Sequence, residues 1–467
     1  MTRLSILGLL VGVAAGALAV GSSSASAETM SGALSRAYDN NPDINQQRAA
    51  VRAKDEGVPG AKAGWLPKVN GNASYGRQLT VLNSPSGTSV RGKTVDRTLT
   101  SPQLLGASVT QTLFDGNSTS NSVRQAQASV AMARENLRLT ELSTLNLAAA
   151  AYMDVLRDTA VLGLRANNIK VLEVQLRQTR DRFQVGEVTR TDVAQAESSL
   201  AGSQADYSLA QSNLDASIAK YRLYVGGDPK RLDPAQPIER LLPRSLAAAI
   251  EISTTEHPAV TAALHQVDMA ELQVKIKEAA LLPTVNLQGS VSQQTDYNGV
   301  PGYNVTTASL LGQVVVPIYQ GGAEYAGIRA AKEQLSQTML TVELQRSSVR
   351  SAVATSWGQL QAARAAITAY QAAVKAAEVA LNGVREEAKV GQRTTLDVLN
   401  AQQTLLNTRV QLVSAQHDRV VYSYAVMANS GLLSAASLGL GVVAYDPNIH
   451  YDQVKNKFFG WNTPDGR

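Results

Sequence analysis

Enzyme chemistry needs reactive side chains at working spacings, and this chain has few. Its histidines are His257, His265, His417 and His450. His257 and His265 stand eight apart, and neither has the i, i+4 partner that a helical zinc site requires. Cysteine is absent, which excludes thiolate ligands and disulfides. The glycines form neither a G-x-x-x-x-G-K phosphate cradle nor a dinucleotide pattern, and no G-x-S-x-G elbow is present. Catalysis, cofactors and metals are therefore not expected. The 43 basic and 38 acidic residues are interspersed, which gives no footprint for nucleic acid.

The remaining polar residues of interest fall in two matched segments. Val185-Gly186-Glu187-Val188-Thr189-Arg190-Thr191-Asp192-Val193 aligns without a gap on Val390-Gly391-Gln392-Arg393-Thr394-Thr395-Leu396-Asp397-Val398. Gly at the end of one helix, followed by Thr or Asp near the start of the next, is hairpin chemistry. The returning helices are expected to start at Thr191-Asp192 and Thr395-Leu396-Asp397, and on spacing alone Arg393 and Asp192 are solvated caps and a surface ion pair at tips near Gly186 and Gly391.

The elements carrying these tips occur twice. Asn41-Pro42 and His257-Pro258 each open a short helical segment, and Pro67 and Pro283 close them, 25 residues after Pro42 and Pro258 respectively. Phe114-Asp115-Gly116 matches Tyr319-Gln320-Gly321, and 70 residues separate Gly116 from Gly186 and Gly321 from Gly391. The offset between copies is too long for a solenoid of small repeats, so it marks a duplication within one chain. Residues 28–225 form the first repeat, 226–245 a Gly- and Pro-rich linker, and 246–433 the second repeat. A tail over 434–467 is expected to pack on the outside of the helical body.

Each repeat reads as two strands followed by a long hairpin. Strands are expected over about 68–80 and 103–113, then over about 284–297 and 306–316, because apolar and polar residues alternate there. Val285, Leu287 and Val291 share one face, while Asn286, Gln288 and Ser290 share the other. The stretches from Asn83 to Arg97 and Asp296 to Asn304 read as loops. A soluble β-layer packed on helices satisfies this alternation, and so does a lipid-embedded barrel. Four strands cannot close a barrel alone, and an open edge cannot lie in hydrocarbon. A membrane reading therefore needs other copies of the chain.

Hairpins are expected over 117–225 and 322–430. Val123, Ala126, Val130, Ala133, Leu137, Thr140, Thr144, Leu147 and Ala151 recur at spacings of three and four; Ile328, Ala331, Leu335, Thr338, Val342, Gln345, Val349 and Ala352 do the same in the second copy. Some 65 helical residues reach about 100 Å, too long for a compact globule, so these helices belong to a coiled coil or a wall. At the N-terminus, Arg3, the apolar run Ile6 to Val20 and Ala25-Ser26-Ala27 read as a signal peptide over 1–27. A retained anchor would need about 20 apolar residues.

In this order of elements the chain resembles the TolC family of outer-membrane efflux and secretion channels, over about Glu28 to Leu433. The Pro-bounded short helices, the Phe-Asp-Gly and Tyr-Gln-Gly segments and the two Val-Gly tips carry the resemblance. It implies a mostly helical protein with a membrane β-barrel contribution, in which a homotrimer completes a 12-stranded barrel and a 12-helix tunnel. Val285, Leu287 and Val291 would then face outer-membrane lipid, and the tunnel would cross the periplasm of a Gram-negative bacterium. A periplasmic adaptor (membrane fusion) protein and an inner-membrane ABC or proton-driven transporter would be its partners. The family closes its periplasmic entrance with acidic side chains one helical turn apart, just past the second tip. Those positions here are Asp397 and Asn400, so one acidic ring is kept and one becomes an amide. Arg393 matches a tip arginine that bonds a neighbouring hairpin, and Thr191 and Asp192 stand where its acceptors would be; Ala388 replaces an aromatic partner found in some members. The competing class is a periplasmic coiled-coil adaptor or structural protein without a pore, although adaptors usually carry one hairpin rather than two.

Overall fold

The computed structural model describes residues 27–84, 94–464 and 466. The signal peptide expected over 1–27 lies, apart from Ala27, outside the described residues, as does 85–93 of the first expected loop. Three short helices, α1 (Met30–Asn40), α2 (Pro42–Asp55) and α3 (Gly57–Lys62), lead to β1 (Lys68–Tyr75), β2 (Gln78–Ser84), β3 (Thr94–Thr100) and β4 (Gln103–Asp115). The long helices α4 (Ser118–Gln184) and α5 (Arg190–Val225) follow. The second half repeats the plan with α6 (Leu246–Glu256), α7 (Pro258–Ala279), β5 (Thr284–Thr295), β6 (Val305–Val315), α8 (Ala323–Lys389) and α9 (Thr395–Asn429), and α10 (Pro447–Val454) lies in the tail.

Local chemistry explains the repeated boundaries. Pro42 and Pro258 occupy the first turns of α2 and α7, where no amide is needed. Asn41 Oδ1 accepts from the Asp43 amide at 2.8 Å and His257 Nδ1 accepts from the Ala259 amide at 3.1 Å. Different side chains thus cap the two copies. Burial holds the His257 pKa below its ordinary value, in keeping with a neutral ring acting as acceptor. α4 and α8 each run 67 residues, about 100 Å at 1.5 Å per residue.

The stripe along α4 buries Val130, Ala133, Leu137, Thr144 and Ala151, but Leu147 is exposed. A straight helix drifts against a strict heptad, and Leu145, Ala148 and Tyr152 take over the core there. The main core gathers where the short helices, both hairpins and the linker meet, around Leu34, Leu145, Tyr152, Tyr221, Tyr424 and Leu433. Tyr152 Oη stands 2.7 Å from the carbonyls of Glu28 and Asp233, joining the first described residues to the linker.

Two strand expectations need correction. The strand expected over 68–80 ends at Tyr75; Gly76 and Arg77 interrupt it, and Gln78–Ser84 pairs instead with Thr94–Thr100 as a separate two-stranded sheet. The loop expected over Asn83 to Arg97 therefore contains strand at both ends. The alternation runs on through Leu79 and Val81, so it could not reveal a change of sheet. The second correction is at 284–297, where β5 stops at Thr295 and Tyr297–Gly299 forms a 3₁₀ turn.

Candidate functional site

The main sheet has the order β1-β4-β5-β6, antiparallel throughout. Its register collects like residues into rows. Gly71, Ala107, Val291 and Ala308 stand side by side, as do Val69, Val109, Gly289 and Leu310. The alternate rows hold Asn70, Ser108, Ser290 and Ser309, with the Ser290 and Ser309 hydroxyls 2.9 Å apart. A bulge at Leu113 shifts the register so that Phe114 falls opposite Val285 and rejoins the apolar face. The sheet thus has one apolar and one mostly polar face across all four strands. Val285, Leu287 and Val291 lie on the apolar one, and none is buried. Among the described residues both edges, β1 and β6, are unpaired, although exposed edges are normally protected.

At the far ends of the long helices the two tips are built alike. Gly186 and Gly391 have φ of +79° and +78°, the left-handed conformation a helix C-terminus of this kind needs. The next amide, Glu187 or Gln392, donates to Arg182 O or Glu387 O at 2.9 Å in each tip. Helix restart comes earlier than Thr191: Thr189 and Thr394 are the caps, each in a reciprocal box with the acidic residue three positions on. Asp192 Oδ2 accepts from the Thr189 amide and hydroxyl at 2.9 and 2.7 Å, and Asp397 Oδ2 accepts from both Thr394 groups at 2.9 Å. Hydrogen bonds from Thr189 and Thr394 hold both carboxyls below the ordinary aspartate pKa, so both are ionised near neutrality.

The structure puts Asp397 and Asn400 one turn apart on the same side of α9, Asp397 half-buried and Asn400 exposed. Arg393 Nε donates to Glu387 Oε2 at 2.9 Å within its own tip, and Arg182 does the same to Glu187 in the first tip. Arg393 is therefore not brought to Thr191 or Asp192 within one chain.

Three polar links escaped the sequence reading, two between the hairpins and one, half-buried, from the linker to the second hairpin. Near the tips, Asn168 Nδ2 donates to Ser203 Oγ at 3.0 Å and Asn168 Oδ1 accepts from Gln402 Nε2 at 3.3 Å, with Arg385 beyond. Asn168, Gln402 and Arg385 border a cavity of about 350 Å3 between α4, α8 and α9. Farther along, His417 lies between Asp154 of α4, at 3.0 Å, and Asp418, at 2.9 Å. Burial opposes its charge, but the two carboxylates prevail and raise its pKa. In the linker, Glu239 accepts from Arg419 at 2.8 and 3.1 Å and from Arg364 at 3.0 Å, which brings its pKa down to about 2. A lone Gln or His among apolar positions of α9 was the available signal for Gln402 and His417; Glu239, in the Pro-rich linker, gave none. Among the described residues no group of His, Cys, Asp or Glu could hold a metal ion, and the remaining histidines pair with Asp268 and Asp55.

The outer membrane efflux protein family profile matches residues 33–227 and 249–431. The chain belongs to this family. It is 42% identical to the outer membrane efflux protein BepC of Brucella suis over 94% of this chain and 93% of that protein. It is 27% identical to the outer membrane protein TolC of Escherichia coli over 93% and 87%, and 25% identical to the alkaline protease secretion protein AprF of Pseudomonas aeruginosa over 86% and 84%. In fold it is similar to the CmeC outer membrane channel of Campylobacter jejuni, with a TM-score of 0.75 at 16% identity over 97% of this chain and 98% of that one. The TolC-family chain is thus an outer-membrane channel protein of the efflux and secretion class, extending into the periplasm. The family is one of transport channels rather than enzymes.

Proposed function

We propose that three copies of the chain join β1 of one to β6 of the next, closing a 12-stranded barrel in the outer membrane and a continuous 12-helix tunnel below it. The two unpaired edges of a sheet with a continuous apolar face carry this reading. In hydrocarbon each unpaired backbone group costs several kcal/mol, so the edges must pair, and closure leaves Val285, Leu287 and Val291 against lipid with the serine and asparagine rows lining water. Exposed Leu340 and Leu344 on α8, one turn apart, are suited to a neighbouring helix in such a wall. The duct would be the exit stage of a tripartite efflux pump or a type I secretion system. It would meet a periplasmic adaptor and an inner-membrane ABC or proton-driven transporter, with cargo chosen upstream.

The tips form the entrance in this reading. Asp397 from three chains makes an acidic ring, and Asn400 makes an amide ring one turn farther along α9. Arg393 would exchange Glu387 for Thr191 or Asp192 of a neighbouring hairpin to latch the entrance shut. Because Asp397 also caps α9, removing it changes helix structure as well as charge. Asn400 has no such duty, so Asn400→Asp is the cleaner test. In a planar bilayer it should strengthen cation selectivity and block by multivalent cations, most at low salt where screening is weakest. Asp397→Ala should weaken both, while Asp192→Ala, which breaks the equivalent cap, should leave selectivity alone. Arg393→Ser should raise conductance. Unchanged selectivity in both the Asn400 and Asp397 variants would remove these residues from the constriction.

A further inference from the structure

The tail that follows α9 has no counterpart in the first repeat, and its path is fixed by three contacts in order. The Tyr445 amide donates to Tyr38 Oη at 3.1 Å. His450 pairs with Asp55 at 3.0 Å. Lys62 Nζ then donates to Lys455 O at 2.8 Å and to Asn456 Oδ1 at 2.9 Å. Each later tail residue meets a later residue of the run from the end of α1 through α2 and α3. The tail therefore runs alongside those helices toward Lys68, where the sheet begins, and Gln111 of β4 bonds the Trp65 carbonyl at the same foot. Beyond Asn456 the chain reverses. Gly460 has φ of +93°, Lys457 Nζ bonds the Asn462 carbonyl, and Pro464 returns to line a cavity with Gln453 and Arg52.

Phe458, Phe459 and Trp461 thus sit at the apex of a turn carried to the base of the sheet. Phe459 is 91% and Trp461 95% exposed. Phe458 is 45% exposed, and Phe459 and Trp461 are almost wholly uncovered by the described residues; such rings are costly in water, whereas aromatic rings and flanking lysines are favoured where hydrocarbon meets headgroups. Lys62, Lys68 and Lys457 supply positive charge at this level for phospholipid phosphates. Ile318 and Tyr319, 92% and 77% exposed at the foot of the second repeat, continue the belt.

We propose that Phe458, Phe459 and Trp461 form an interfacial anchor, one per chain, that inserts into the periplasm-facing phospholipid leaflet. The proposal rests on the sheet occupying the bilayer. It is tested on the full mature chain with Trp65→Phe and Trp357→Phe, which leave Trp461 as the sole tryptophan, reconstituted into phosphatidylethanolamine/phosphatidylglycerol vesicles. Lipids brominated near the headgroup should quench Trp461 more than lipids brominated deep in the chains, with loss of quenching by aqueous acrylamide. Should that background not refold, the same signal is read as the difference between the native chain and Trp461→Phe. Free access of acrylamide in vesicles would overturn the proposal. So would shielding from acrylamide without quenching by brominated lipid, since the cover would then be protein, such as a neighbouring copy. In both cases the chain still floats with the vesicles, whereas failure to float would overturn the bilayer placement of the sheet itself.

Discussion

Replacing Val291 by lysine should be far more harmful than replacing its neighbour Ser290, and the size of the difference follows from the register. β5 has 12 residues, which at about 3.4 Å per residue and a tilt of about 40° rise roughly 31 Å, enough to cross a hydrophobic band of about 25 Å. Val291 lies within two residues of the middle of that strand, in a row with Gly71, Ala107 and Ala308 on the apolar face. A lysine near the bilayer midplane costs about 2 to 4 kcal/mol, hence about 6 to 12 kcal/mol over three copies. Ser290 is on the opposite face and gives up its contact with Ser309, worth about 1 kcal/mol. The gap of about 1 to 3 kcal/mol per chain is roughly a fivefold to hundredfold difference in each chain's folding equilibrium. Refolding from urea into phospholipid vesicles, followed by heat-modifiable mobility and protease resistance, measures it. Equal midpoints for Val291→Lys and Ser290→Lys, or a larger loss for Ser290→Lys, would refute the assignment of faces.

Other expectations concern the polar links. Glu239→Gln should lower stability by about 1 to 3 kcal/mol by weakening the contacts to Arg419 and Arg364. Because the folded pKa of Glu239 is depressed to about 2, its contribution is present above its ordinary 4.5 and fades as pH falls toward 2; thermal melts over that range should converge with those of the variant. His417 behaves oppositely: its raised pKa gives stability fully present below its ordinary 6.5 and lost as pH rises past the folded value. His417→Gln should flatten this dependence in melts taken on either side of neutrality, and an unchanged slope would show that another group titrates. Gln402→Ala leaves buried Asn168 short of a partner and should cost about 1 to 3 kcal/mol, read by urea titration of the detergent-solubilised protein.

The long helices were legible because their stripes run position for position in both copies, from Val123 and from Ile328. The tips were legible because Val185-Gly186 and Val390-Gly391 sit at equal distances from matched glycines. Helix starts were legible to within a residue: α9 begins at Thr395 as expected and α5 at Arg190, one residue before Thr191, because the reciprocal box needs an acidic residue three positions on, a condition Thr189 meets with Asp192 and Thr191 does not. The change of sheet at Gly76 was hidden because alternation reports a face, not a partner strand. Asn168, His417 and Glu239 were missed for a related reason. A polar residue on an amphipathic helix, or in the linker as with Glu239, reads as surface until a hairpin covers it, and that contact joins residues more than 100 apart in sequence.

The central claim is that β1 pairs with β6 of another copy, and the absence of cysteine permits a direct measurement. Within one chain β4 and β5 separate these strands, so facing residues lie roughly 14 Å apart at about 4.8 Å per strand. A disulfide needs Cα atoms closer than about 7 Å, so none can form inside a chain. Single cysteines are placed at Asn72 in β1 and, one by one, along Thr307 to Val314 in β6. After oxidation in the membrane, denaturing gels should show covalent dimers and trimers for a narrow set of positions, with no larger species. Monomers with free thiols at every β6 position would contradict closure between copies.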